Sequence, residues 1–65
     1  MNQEISLLSI GQVLKLTAMS RSYCYDLQRR GEFPTPVRLS PTGRRVAWRH
    51  ADVMNWVAER APANQ

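Results

Sequence analysis

Near the start of the chain, apolar residues recur three and four positions apart among polar ones. This spacing predicts an amphipathic helix over about residues 10–16. Ser9 and Gln12 are spaced as in a capping box, in which the serine oxygen accepts a backbone N–H and the glutamine reaches back. Both signals start the first helix just after Ser9. The apolar stripe consists of Ile10, Val13, Leu14 and Leu16.

A second helical segment follows after a turn of about four residues. Ser20 is a favoured N-cap, and Met19 before it is placed to pack as a staple residue. Cys24 and Leu27 face the core, and Gly31 is placed for a left-handed C-terminal cap. Two short helices joined by such a turn form a helix-turn-helix.

Two runs of alternating apolar and polar residues after the second helix predict a β-hairpin. Pairing Leu39 with Val46 and Val37 with Trp48 places all four apolar side chains on the core face. This parity selects a four-residue loop at positions 41–44, whereas a three-residue loop would need a bulge to keep the register.

A third helix is predicted to cover the hairpin. Its inward positions are Val53, Trp56 and Val57, and the aliphatic stem of Arg60 completes the stripe. Pro62 ends the helical pattern because proline cannot continue it.

Together these elements predict a mostly α fold with a small β-hairpin, that is, a winged helix-turn-helix of three helices and a two-stranded wing. Leu7 and Leu8 are expected to form a brief edge strand. Residues 1–65 are expected to be a single domain, with frayed ends at 1–6 and 62–65.

The charge of the chain is unevenly distributed. Its 65 residues carry a net charge of +4, and arginine outnumbers lysine by eight to one. Residues 29–49 hold six of these arginines and a single acid, Glu32. Such a cluster is typical of a nucleic-acid binder, because arginine suits forked hydrogen bonds to phosphate and guanine. The alternative is a basic face that only aids solubility.

Enzymatic and metal-binding functions find little support in the sequence. Cys24 is the single cysteine and His50 the single histidine, so no set of converging metal ligands is present. Cys24 is expected in the core and His50 at an exposed helix start, which leaves no nucleophile and base. The glycines are isolated, and no apolar run approaches a membrane span. A cytoplasmic protein without enzyme activity, cofactor, small-molecule ligand or membrane contact is expected.

Double-stranded DNA is the partner that the residues favour. The second helix can enter the major groove with its N-terminus toward a phosphate, and the hairpin tip can reach flanking phosphates or the minor groove. Tyr25 is compatible with a phosphate contact or with packing on the first helix, and Tyr23 with packing on the inter-helix turn. The candidate DNA-binding residues are Ser20, Arg21, Ser22, Tyr23, Tyr25, Arg29 and Arg30 on the helix and Arg38, Thr42, Arg44 and Arg45 on the wing.

Residues 7–60 resemble the AlpA-like prophage regulators and the related small excisionases, which share a winged fold with MerR-type DNA-binding domains. The resemblance is carried by three groups of residues: Ser20-Arg21-Ser22 with Tyr25, Gly31-x-Phe33-Pro34 with Pro36-Val37, and Trp48 with Val53 and Trp56. It implies a second helix in the major groove and a hairpin that serves as a wing.

The sequence departs from that family at three places. Ala18 stands where glycine is usual in the turn, and Tyr23 stands where a threonine is typical. The wing tip, residues 40–45, is longer than usual. Base contacts are therefore not transferred from the family to this chain.

The resemblance implies either a transcriptional regulator of a phage or mobile element or an excisionase, that is, a recombination directionality factor. An integrase, or a second copy bound cooperatively on DNA, is an expected partner. The alternative function is a protein-interaction module that inhibits a regulator or recruits an integrase, with weak or no DNA binding.

Overall fold

The structure, a computed structural model that describes residues 6–61, contains three helices and a three-stranded antiparallel sheet. This confirms the mostly α, winged helix-turn-helix class. Of the segments expected to fray, 1–5 and 62–65 lie outside the described residues. Ser6 is tied to the fold, because its carbonyl accepts the N–H of His50 at 2.9 Å. The elements are β1 (Leu7–Leu8), α1 (Ile10–Thr17), α2 (Arg21–Arg29), β2 (Val37–Arg38), β3 (Val46–Arg49) and α3 (His50–Ala58).

Side-chain caps begin both helices of the helix-turn-helix. Ser9 Oγ accepts the N–H of Gln12 at 3.2 Å, and Gln12 Oε1 accepts the N–H of Ser9 at 2.8 Å, so the capping box is confirmed. Ser20 Oγ accepts the N–H of Tyr23 at 3.1 Å and caps α2. The starts of α1 and α2 are therefore fixed by local sequence.

Both helices end in left-handed backbone. Ala18, the C-cap of α1, has φ 60° and ψ 28°, and its N–H reaches the carbonyl of Leu14 at 2.8 Å. Gly31 has φ 73°, and the N–H groups of Gly31 and Glu32 bond to the carbonyls of Gln28 and Leu27. This is a Schellman motif, so the predicted glycine cap is confirmed.

The sheet order is β1-β3-β2, with β3 in the centre. The edge strand predicted at Leu7 and Leu8 is confirmed as β1, and Leu8 pairs with Trp48. In the wing, Val37 pairs with Ala47, and Arg38 pairs with Val46. The predicted pairing of Leu39 with Val46 and of Val37 with Trp48 is therefore wrong by one residue.

The tip of the wing explains this error. Leu39 donates its N–H to the carbonyl of Arg45 at 2.9 Å, so the loop comprises residues 40–44 instead of the predicted 41–44. Leu39 and Val46 are 47% and 37% exposed, whereas Ala47 is buried, although the predicted pairing places it on the face opposite Val46 and Trp48. The predicted register assumed that Val37, Leu39, Val46 and Trp48 all face the core. Leu39 and Val46 lie outside the core cluster, so burial does not select their register.

One core cluster joins the sheet to all three helices. Trp48 lies within this cluster and is 1% exposed, and its Nε1–H donates to the carbonyl of Pro34 at 3.1 Å. Two predicted core positions are wrong, since Leu16 and Val57 are exposed. Trp56 packs against the cluster from the side. The buried members of the cluster are Leu8, Val13, Cys24, Leu27, Phe33, Trp48 and Val53.

Candidate nucleic-acid interface

The N-terminus of α2 presents donors to the surface. Arg21 and Ser22 are exposed and occupy the first helical positions after the Ser20 cap. Backbone N–H groups at these positions have no partner within a helix, and the helix dipole favours a negative group beside them. Cys24 and Leu27 anchor one face of α2 in the core, which leaves Ser22 on the outer face and Arg21 exposed at its edge. This end of the helix can therefore receive a phosphate.

Two tyrosines extend the exposed face of α2. Tyr23 is 51% exposed and Tyr25 is 46% exposed, so each keeps about half of its surface in solvent. The packing expected for Tyr23 on the inter-helix turn therefore does not bury its side chain. The exposure of Tyr25 leaves its side chain accessible to a ligand.

The carboxylate of Asp26 organises the last turn of α2. Asp26 Oδ1 accepts Arg29 Nη2 at 2.6 Å, and Asp26 Oδ2 lies 2.9 Å from Arg30 Nη2. The hydrogen bond from Arg29 is the main cause that lowers the pKa of Asp26 from its usual value, and the charges of Arg30 and Arg29 add to it. The spacing of three and four residues is the sequence signal that could have revealed these pairs.

The wing carries its cations at the tip. Arg38 Nη1 donates to the carbonyl of Gly43 at 3.1 Å, and the N–H of Gly43 donates to Ser40 Oγ at 3.0 Å. A β carbon at Gly43 would lie 2.8 Å from Ser40 Oγ, so the closed loop fits a glycine there. Arg38 therefore braces the loop from one strand. The exposed residues at the tip that were predicted to contact DNA are Thr42, Arg44 and Arg45.

The arginines of the candidate interface differ in whether an acidic side chain lies beside them. Arg29 and Arg30 are engaged by Asp26, and Arg30 Nη1 also lies 3.7 Å from Glu32 Oε1. Within residues 6–61, no ion pair involves Arg21, Arg44 or Arg45. Among the described residues, the start of α2 and the wing tip thus each carry exposed cations without an ion pair, as do Lys15 and Arg49 elsewhere on the surface.

The other acids among residues 6–61 lie outside α2, along a groove between the segment after α2 and α3. Glu32, Asp52 and Glu59 line this groove. Its aromatic wall is Trp56, which donates Nε1–H to the carbonyl of Glu32 at 2.8 Å, while the guanidinium of Arg60 lies 4.3 Å from the centre of the indole. Most of the negative charge of the described residues is therefore collected outside α2 and the wing.

The buried thiol does not belong to this surface. Cys24 lies in the core, as predicted, and burial raises its pKa. Gln28 Nε2 donates to Cys24 Sγ at 3.8 Å, and this contact partly opposes the rise. His50 is exposed at the start of α3, also as predicted. Across residues 6–61, each helix is too short or too polar to cross a bilayer.

Comparison with known proteins assigns the chain to a family. The family model of the prophage CP4-57 regulatory protein (AlpA) matches residues 6–61. An uncharacterized protein, ORF88 of Enterobacteria phage P4, is 45% identical over 53 residues, which are 82% of this chain. The match spans 58% of the length of that phage protein. No solved structure matches the chain significantly. The expected resemblance is confirmed: the chain belongs to the AlpA family of prophage regulatory proteins.

Proposed function

We propose that this member of a regulatory family binds double-stranded DNA sequence-specifically and acts as a transcriptional regulator or excisionase of a phage or mobile element. The observation that carries the proposal is the exposed face of α2, where Arg21, Ser22 and Tyr25 project from a helix that is capped at its start and anchored by its opposite side. A helix held in this way can enter a major groove about 12 Å wide.

The start of α2 supplies both a positioning contact and a reading contact. Its free N–H groups and the Ser22 hydroxyl suit a phosphate, which fixes the register of the helix on the duplex. Arg21 projects from the same turn and can donate two hydrogen bonds to guanine O6 and N7 or one to a phosphate. We expect sequence preference to depend on Arg21 and the Tyr25 face.

The wing adds affinity. Arg44 and Arg45 repel each other in the free protein, and the phosphates of a DNA backbone or a narrow minor groove would attract both and offset this repulsion. The contacts of Arg38 and Ser40 to Gly43 hold the loop closed, so less conformational entropy is lost on binding. The described residues extend 44 Å along their longest axis, which exceeds one turn of B-DNA, about 34 Å.

Two roles on DNA are possible, and they predict different binding sites and different bending of the DNA. An excisionase is expected to bend DNA at repeated sites beside an attachment site, and a regulator to occupy a site near a promoter. Circular-permutation gel shifts on the bound fragment measure the bend. In either role, an integrase or a second copy bound cooperatively on DNA is the expected protein partner.

The test of DNA binding is the salt dependence of affinity on a duplex recovered from a random pool by the purified protein. The logarithm of the binding constant should fall with the logarithm of salt by about 0.9 for each phosphate neutralised. Arg21→Ala should abolish the preference for the selected duplex. Lys15→Ala removes the same charge from an exposed site on α1 and should keep that preference.

The wing has its own test. The double variant Arg44→Ala with Arg45→Ala should weaken binding to all duplexes and lower the salt slope by about 1 to 2, with little change in thermal stability. Absence of binding by the folded wild-type protein at about 50 mM salt would refute DNA binding and favour the protein-interaction module. Unfolding of the double variant would instead contradict the exposed position of the tip.

A further inference from the structure

The carboxylate of Asp26 lies at the centre of a three-residue cluster on α2. One oxygen accepts Arg29 Nη2 at 2.6 Å, and the other lies 2.9 Å from Arg30 Nη2. The Arg29 side chain is 70% exposed, compared with 39% for Asp26. Arg29 is thus the outer member of the cluster, held from below by a carboxylate on the preceding turn.

We propose that Asp26 is a positioning residue that holds Arg29 to read a guanine in the major groove, a role that rests on the proposed DNA binding. Ser22, Asp26 and Arg29 are spaced i, i+4 and i+7, so they follow one stripe of α2. The stripe begins with Ser22, the residue after Arg21, at the exposed start of α2. Arg30 lies between two acids, with Nη2 2.9 Å from Asp26 Oδ2 and Nη1 3.7 Å from Glu32 Oε1.

The chemistry of the cluster fits this role. An arginine carries five N–H donors, and the contact to Asp26 occupies one, which leaves enough for the two bonds to guanine O6 and N7. An isolated carboxylate on this face would repel phosphate. Two guanidinium groups neutralise Asp26 and leave the cluster with a net positive charge. Asp26 therefore orients Arg29 without making the face repel DNA.

The experiment compares the wild-type protein with Asp26→Asn, Arg29→Lys and Glu59→Gln on three probes. These are the duplex selected by the wild type, the same duplex with 7-deazaguanine in place of each guanine in turn, and an unrelated duplex. 7-Deazaguanine lacks the N7 acceptor but still pairs with cytosine. Glu59→Gln changes the net charge as Asp26→Asn does, at a residue on the groove beside α3.

At one guanine, the wild type and Glu59→Gln should lose about fivefold to tenfold in affinity on 7-deaza substitution. Asp26→Asn and Arg29→Lys should lose most of this penalty, and Asp26→Asn should bind the unrelated duplex at least as tightly as the wild type. Circular dichroism should show that Asp26→Asn is folded, because exposed ion pairs contribute little stability.

Three results would overturn the positioning role. The first is an unchanged 7-deaza penalty in Asp26→Asn, and the second is a change in affinity caused by Asp26→Asn that is equal on the selected and unrelated duplexes. The third is that no guanine N7 contributes to binding by the wild type. In each of these cases the wild type still prefers its selected duplex, and DNA binding stands. If the wild type prefers no duplex, the proposed function itself fails.

Discussion

Replacing Ala18 with glycine should stabilise the fold. Ala18 lies in left-handed backbone at φ 60° and ψ 28°, which costs a residue with a β carbon about 1–2 kcal/mol. Glycine removes this cost but loses more conformational freedom on folding, about 0.5–1 kcal/mol. The Ala18 side chain is exposed, so little packing is lost, and the hydrogen bond from its N–H to Leu14 is retained. The expected net gain in the free energy of unfolding is about 0.5–1 kcal/mol.

Thermal and urea unfolding, followed by circular dichroism, measure this gain. A gain of that size corresponds to a rise in Tm of about 2–8 °C for a domain of this length. Ala51→Gly is the matched control, because Ala51 is exposed within α3, where glycine should destabilise by roughly 0.5–1 kcal/mol. If Ala18→Gly lowers stability as much as Ala51→Gly does, no strain is relieved at Ala18 and the reasoning is refuted.

Three further outcomes are expected. Ser20→Ala should lower the free energy of unfolding by about 1 kcal/mol, since the N–H of Tyr23 loses its acceptor; an unchanged urea midpoint would contradict the capping role. Trp56→Phe should destabilise by about 0.5–1.5 kcal/mol through loss of the hydrogen bond to the carbonyl of Glu32, and thermal unfolding checks it against the wild type. The pKa of Asp26 is lowered in the fold, so its contribution to stability is present at neutral pH and lost as the pH falls below about 4. Asp26→Asn should therefore make the free energy of unfolding depend less on pH in this acid range. An identical pH dependence in the variant and the wild type would count against the pairing.

The helices could be predicted from the sequence because their signals are local. The cap at Ser9, the cap at Ser20 and the glycine at Gly31 each act within one turn of backbone, and all three are present in the structure. The edge strand β1 was also predicted, although its pairing with β3 depends on distant residues.

The register of the wing could not be predicted, because it is set at positions that the core does not control. Leu39 and Val46 are apolar but lie outside the core cluster, so the assumption that burial decides their face fails. Leu16 and Val57 show the same limit on helices, where apolar residues on a helical stripe remain exposed. In a chain of this size the core is too small to cover every apolar position.

The arginines of the site were predicted from the sequence, but the contacts that each of them makes were not. Arg44 and Arg45 were predicted at an exposed tip, and they are exposed. Arg29 and Arg30 were predicted as DNA-binding residues, but their pairing with Asp26 was not predicted. Which arginine pairs with Asp26 depends on the directions of the side chains at the end of α2. Residue spacing limits the possible pairs but does not select among them.

The pairing of β1 with β3 has a consequence for the order of folding. Leu8 meets Trp48, 40 positions further along the chain, and both helices of the helix-turn-helix lie in the loop that this contact closes. During synthesis α1 and α2 can form early from local contacts, but Leu8 stays exposed until β3 has been made. A chain that stops before residue 46 would keep its helix caps and lack the strand that closes the core. The protein is therefore expected to fold in one late step, after β3 and the part of α3 that carries Val53 have been synthesised.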